Sequence, residues 1–147
     1  TVCYWTISKV FGKTHNELQQ LFPENFKKYE KMKFSMCVDP FLKDLKETKK
    51  ENVILFGIEA HVCVLQTAQD LLENGFNVHL AADATSSQRP FDRSVAFDRM
   101  KEMGVYISTT ESLLFQMLRT AEFEKFKDIS KLCNVKHMGP RPNPGTY

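Results

Sequence analysis

Cys63 stands where an acyl-transfer nucleophile would be placed. The stretch VILFGIEAHVCVLQTAQDLLENG, residues 53–75, opens on an apolar run, breaks into a short turn and continues as an amphipathic helical pattern ending at Gly75. The cysteine therefore falls at the end of a buried strand, in the first turn of a helix. Unpaired backbone N–H groups and the positive end of the helix dipole converge at such an entrance. They ease loss of the thiol proton and offer donors to a tetrahedral oxyanion. The opposing reading is packing, because free cysteine is among the most buried residue types and such turns are ordinary in α/β proteins. His61 has the chemistry of a general base, but residues two apart on a helix do not face each other.

Strands must alternate with helices to hold that turn. Residues 2–7, VCYWTI, read as a short strand from their aromatic and β-branched content, followed through Glu30 by loop with weak helix around 16–21. A helix is expected over 38–50, where Pro40 suits the first turn and Phe41, Leu42 and Leu45 share a face. Then come strand 53–58, helix 61–74 with Val64, Leu65, Ala68, Leu71 and Leu72 inward, and strand 76–82. Helix 89–103 ends at Gly104, strand 105–108 follows, and helices begin at Thr110 and Phe123. Alternation of this kind gives βαβ units and a parallel sheet, with ligands beyond the carboxyl ends of the strands. The expected fold is a three-layer α/β/α sandwich of Rossmann-like type.

Composition excludes several classes. Across 147 residues, 42% hydrophobic and 26% charged content are ordinary globular values, and the formal charge of +2 is too mild for a nucleic-acid partner. No apolar run approaches the roughly 20 residues of a membrane span. TVCYWTI is too short for a signal peptide and lacks a basic lead. Cys3, Cys37, Cys63 and Cys133 lie far apart, which matches neither a zinc ribbon nor a secreted disulfide framework. A reduced protein is expected, cytoplasmic or in another intracellular compartment. The dispersed histidines give no metal site, and no cofactor is expected.

GIEAHVCVLQTAQDLLENGFNVHLAADATSS, at 57–87, resembles the core signature of the isochorismatase-like hydrolases, nearest to their eukaryotic isochorismatase domain-containing branch. KMKFSM at 31–36 resembles that branch's second motif, and residues 92–118 its C-terminal portion. The likeness runs over residues 31–132 and implies an aspartate–lysine–cysteine hydrolase. In it Cys63 is the nucleophile and Lys31, four residues before Ser35, the cation beside the thiolate; Lys33 is a rival by charge. The backbone N–H groups of Val62 and Cys63 are the implied oxyanion donors, turned inward by a cis peptide at Ile58–Glu59. Glu59 is a candidate for the pocket mouth, Phe34 and Phe91 for its walls. Asp83 is expected to fix its loop by capping backbone N–H groups, with Ser86 and Ser87 completing the turn. Arg93 and Arg99 are expected at the surface or in a subunit contact.

The resemblance departs at one point. The family's aspartate lies on a first strand of the form apolar–apolar–Asp–x–Gln, and no aspartate precedes Lys31. VCYWTI looks instead like the family's second strand. The chain thus reads as N-terminally truncated, with one partial domain over 1–133 and a disordered tail over 134–147. Two functions compete: a cysteine hydrolase of a small amide, ester or related substrate, and an inactive member serving as a binding or assembly protein. A homo-oligomer is expected in either case. A third, weaker option is a thiol redox sensor with Cys37 as the resolving cysteine.

Overall fold

The structure, a computed structural model, describes residues 3–6, 14–24 and 26–134. Strands and helices alternate: β1 (Cys3–Thr6), α1 (Asn16–Gln19), β2 (Lys27–Glu30), α2 (Asp39–Glu47) and β3 (Asn52–Ile58). A π-helical turn (Ala60–Val64) runs into α3 (Leu65–Glu73), followed by β4 (Asn77–Ser86), α4 (Pro90–Glu102), β5 (Tyr106–Ser108), α5 (Thr110–Leu118) and α6 (Phe126–Asn134). Every strand pair is parallel, and the described strands form two sheets, β1-β2 and β3-β4-β5. The α/β expectation holds. The expected tail lies outside the described residues, apart from Asn134, which ends α6.

Register separates the two faces of the larger sheet. Val53 stands beside Val78 and Leu55 beside Leu80, so these side chains share one face. With Leu65, Ala68 and Leu71 of α3 and Ala96, Phe97 and Met100 of α4 they form the core. The other face carries Ile54, His79 and Tyr106. There α5 packs on β4 as the third layer. Over β3 that face is open, and Ile54, Phe56 and Ile58, alternate residues of one strand, are all exposed.

Two helix ends share one construction. Gly75, with φ of 83°, donates to Leu72 O at 2.9 Å while Phe76 N donates to Leu71 O at 3.1 Å. Gly104 and Val105 repeat this on Lys101 and Met100 at 3.1 and 2.9 Å. Both are left-handed caps in which glycine avoids a Cβ clash and the next residue is turned inward. That inward residue leads into β4 or β5, so cap and strand start are one device.

Two expectations need correction. Residues 27–30, read as loop, form β2: KKYE has no apolar alternation, and it is the ladder with β1, Cys3 opposite Lys27 and Thr6 opposite Glu30, that makes it a strand. Asp44 on α2 steadies it by accepting from Lys27 Nζ at 2.7 Å and from Tyr29 OH. The helix expected from Thr110 does begin there as α5, with Thr109 as its N-cap, whose hydroxyl accepts from Ser112 N at 3.2 Å. By contrast, β4 runs on to Ser86 rather than ending near Ala82, because its register slips: Leu55 pairs with Leu80, but Gly57 pairs with Thr85. The residues between bulge out.

Leu71 has no exposed surface and joins α3 to β4. Leu71→Ala is predicted to cost about 2–5 kcal/mol, since a cavity is added to the lost transfer energy. Urea unfolding checks this as a lower midpoint at unchanged slope.

Candidate active site

The turn after β3 is built by hydrogen bonds around Glu59. The Ile58–Glu59 peptide is cis. Beyond it, the Glu59 carbonyl accepts from both Val62 N and Val64 N, each at 3.2 Å, and closes the π-helical turn that carries Cys63. Short π-helical segments of this kind are frequent at functional sites. Cys63 is buried there, with Ala60 and Val64 beside it in the turn.

Glu59, the candidate for the pocket mouth, is engaged with the loop after β4. Its carboxylate accepts from Gln88 N at 3.0 and 3.2 Å, binding the turn to the loop after β4. His61 points the same way: Nδ1 lies 3.0 Å from Ser87 Oγ and 3.4 Å from the Glu59 carboxylate, and Nε2 lies 3.9 Å from Asp92. It faces the loop, as the two-residue spacing from Cys63 predicts. The Ile58 side chain lies on the open face of β3 rather than toward the turn.

Lys31 follows β2 directly and is 6% exposed. Its ammonium donates to Lys33 O at 2.5 Å and to Phe34 O, so the loop wraps its own lysine. Burial lowers the Lys31 pKa below its usual 10.5, and negative charge on Cys63 raises it in part. Lys33 is exposed and offers Lys31 its carbonyl. Phe34 likewise contributes its carbonyl, while its ring, like that of Phe91, is largely solvent-exposed.

Further assignments change. Val62 is a poor oxyanion donor because its N–H is already bonded to Glu59 O, a consequence of the tight turn that spacing alone does not reveal. Asp83 caps as expected but at another address: its Oδ1 accepts from Thr110 N at 2.8 Å and Thr110 Oγ1 at 2.9 Å, at the start of α5. Arg93, expected at the surface or in a subunit contact, is half-buried. It donates to Thr85 O at 2.8 Å and Ala82 O at 2.6 Å, and lies 4.3 Å over the Phe97 ring. The bulge in β4 exposes those carbonyls, and the arginine satisfies them. Sequence reasoning also passed over Thr67, which lies four residues after Cys63 and is 1% exposed. An open depression of about 390 Å³, lined by Asn52, Asn77, His79, Tyr106 and Gln116 among others, lies at the amino ends of the strands, away from this chemistry.

Residues 9–112 match the model of the isochorismatase domain. The chain belongs to the isochorismatase family. It is 43% identical over 125 residues to isochorismatase family protein 1B of Dictyostelium discoideum, covering 82% of this chain and 61% of that one. The chain therefore spans about three fifths of that relative's length. Among solved isochorismatase-like structures it superposes on the MAR1 ribonuclease of Caenorhabditis elegans with a TM-score of 0.83 and 40% identity, covering 97% of this chain and 71% of that one. YcaC of Pseudomonas aeruginosa, solved with hexane-2,5-diol and covalent acrylamide, gives a TM-score of 0.72 at 27% identity, covering 80% and 60%. Among the described residues no group of three or more His, Cys, Asp or Glu is gathered for a metal ion, and no helix is long and apolar enough to cross a membrane.

Cys37, Cys63 and Cys133 are free thiols. Burial pushes the Cys37 thiol up to about 11, against a smaller lowering by its hydrogen bond with Ser35. At pH 8 its thiolate fraction is then about 100-fold below that of an ordinary thiol. Peptide-resolved alkylation is predicted to find Cys37 slow in the native chain and fast in denaturant. A Cys37 that instead reacted as fast in the native chain as in denaturant would suit the resolving partner of a redox pair.

Proposed function

We propose that the chain carries the nucleophile and the charge partner of a thiol-dependent hydrolase for a small amide, ester or related substrate. The observation that carries this reading is that Cys63 lies buried in the π-helical turn at the carboxyl end of β3, while Lys31, buried at the carboxyl end of β2, keeps its ammonium inside its own loop. The Cys63 thiolate attacks the carbonyl carbon, and the π electrons move to oxygen, which the Cys63 N–H stabilises. The tetrahedral species expels the amine or alcohol, which takes up the proton that the thiol gave. Water then cleaves the thioester, releases the acid and returns a proton to sulfur, so one water is consumed per bond broken. Lys31 holds the negative charge on sulfur between these stages. The covalent acrylamide on the YcaC neighbour supports a family site that captures electrophiles, as thiolates do. Ribonuclease activity, named for the C. elegans neighbour, suits this chain less, because its net charge is only +2.

A binding or assembly role is the second reading, and one observation favours it. Ile54, Phe56 and Ile58 form an exposed apolar row on the open face of β3, the kind of surface that a second protein or a second copy covers.

Alkylation by acrylamide, resolved to the Cys63 peptide, separates the two. The hydrolase reading predicts that Cys63 reacts at neutral pH about tenfold or more faster in the native chain than in denaturant, and that Lys31→Met removes the excess. Equal rates in both states would sink it and leave the binding role.

A further inference from the structure

We infer that Thr67 is a positioning residue that sets Lys31 against Cys63, an assignment that deepens the hydrolase reading and rests on it. Thr67 lies on α3, one helical turn beyond the cysteine, and its hydroxyl works in two directions. The O–H donates to Cys63 O at 2.6 Å, and the oxygen accepts from Met36 N at 3.0 Å. Met36 closes the loop that begins with Lys31. One buried oxygen therefore joins the backbone of the nucleophile's turn to the loop of its charge partner, 31 residues away in the chain.

A second contact runs beside it: Cys37 Sγ lies 4.0 Å from Thr67 O. The loop supplies the rest of its own order. Lys31 donates to the carbonyls of Lys33 and Phe34, and Cys37 N donates to Ser35 Oγ at 3.1 Å. The loop thus moves as a unit with its ammonium, and Thr67 is where that unit meets α3. A threonine that bonded only its own helix would use its hydroxyl on the carbonyl four residues back, a common and locally neutral habit. Here the same oxygen also takes a donor from another segment. Valine would match its shape and lose both bonds, leaving Met36 N and Cys63 O to find other partners in a dry interior. Serine would keep both.

The Coulomb interaction of an ammonium with a thiolate falls with distance and rises steeply as water is excluded. A small drift of the loop is thus enough to weaken it. The test compares wild type, T67V, T67S and K31M by peptide-resolved acrylamide alkylation of Cys63 across pH, together with amide exchange over residues 31–37. T67V is expected to lower the native rate at neutral pH about tenfold, with its pH profile moving toward that of the denatured chain, while T67S keeps the wild-type profile. T67V should also raise exchange over residues 31–37. A folded T67V with unchanged profile and unchanged exchange overturns the assignment.

The outcomes remain separable from those of the hydrolase reading. If wild type itself shows no native excess rate, that reading fails, and exchange over residues 31–37 in T67V alone decides whether Thr67 positions the loop. If T67V does not fold, the wild-type Met36 amide is read directly. Slow exchange there, retained in T67S, supports the bond; exchange at the rate of an exposed amide overturns it.

Discussion

The site depends on how β4 outruns β3. Up to Leu55 and Leu80 the two strands keep a plain parallel register; two residues later Gly57 has Thr85 for its partner. The added length must put its polar backbone somewhere, since buried carbonyls without partners are costly. Two side chains resolve this. Arg93 takes the carbonyls of Ala82 and Thr85, and the Thr85 hydroxyl donates to Ala81 O at 2.8 Å, while Asp83 spends its carboxylate on Thr110 at the start of α5. With those groups satisfied, the strand can continue past its neighbour. Its end then lies level with the turn after β3, where Gln88 N meets Glu59 and Ser87 meets His61. The turn that carries Cys63 is therefore gripped from outside by the end of a longer strand.

Its inner side is held by a different kind of contact. Apolar packing of Ala60, Val64, Leu65 and Ala68 fixes where α3 sits against the sheet. Packing of this sort is non-directional and leaves a helix free to slide by fractions of an ångström, whereas a buried hydrogen bond does not. Polar atoms in the interior are expensive unless paired, so their presence at Thr67 and Lys31 marks places where geometry matters more than burial alone. Lysine is the stronger case. Burial depresses its pKa, so its charged form is the one disfavoured by folding, and that cost fades only as pH rises above the folded-state value. A lysine held there at neutral pH needs the two loop carbonyls to offset the loss of water.

The parts legible in the sequence are those with a local cause. The strand-to-helix step at Cys63, the helix ends at Gly75 and Gly104 and the apolar stripe of α3 each follow from a few neighbouring residues. The motif resemblance added Lys31 and the cis peptide at Ile58–Glu59, which no periodicity contains. What escaped was set by distant partners. KKYE becomes a strand only against β1, the slip in β4 is a relation between two strands, and Arg93 looks like any exposed helical arginine until the carbonyls beneath it are known. Thr67 was hidden for the same reason. Its spacing from Cys63 suggests an ordinary helical threonine, and the second bond, to Met36, comes from a segment that pattern reading cannot bring near. Val62 shows the reverse error: position made it a donor, and the tight turn had already used its N–H.

The two halves of the site belong to different sheets. Lys31 continues the carboxyl end of β2, in the sheet with β1, and Cys63 follows β3 in the sheet with β4 and β5. Among the described residues no ladder joins the sheets, so their relative position rests on side chains and loops. Tyr29 on β2 meets Phe41 edge-on at 5.6 Å, and Phe41 and Met36 enter the same core as Leu55 and Leu65. Parallel sheets are ordinarily covered on both faces, because their strands carry apolar residues on each. β3 obeys the composition without the covering, and Phe56 and Ile58 stand in solvent where the sheet is divided. A cover over that row would stiffen β3 just before Glu59, and so would act on the turn of Cys63 from the side opposite to Thr67. The hydrolase and binding readings therefore share one mechanical question: what fixes the distance between two sheets that carry one site.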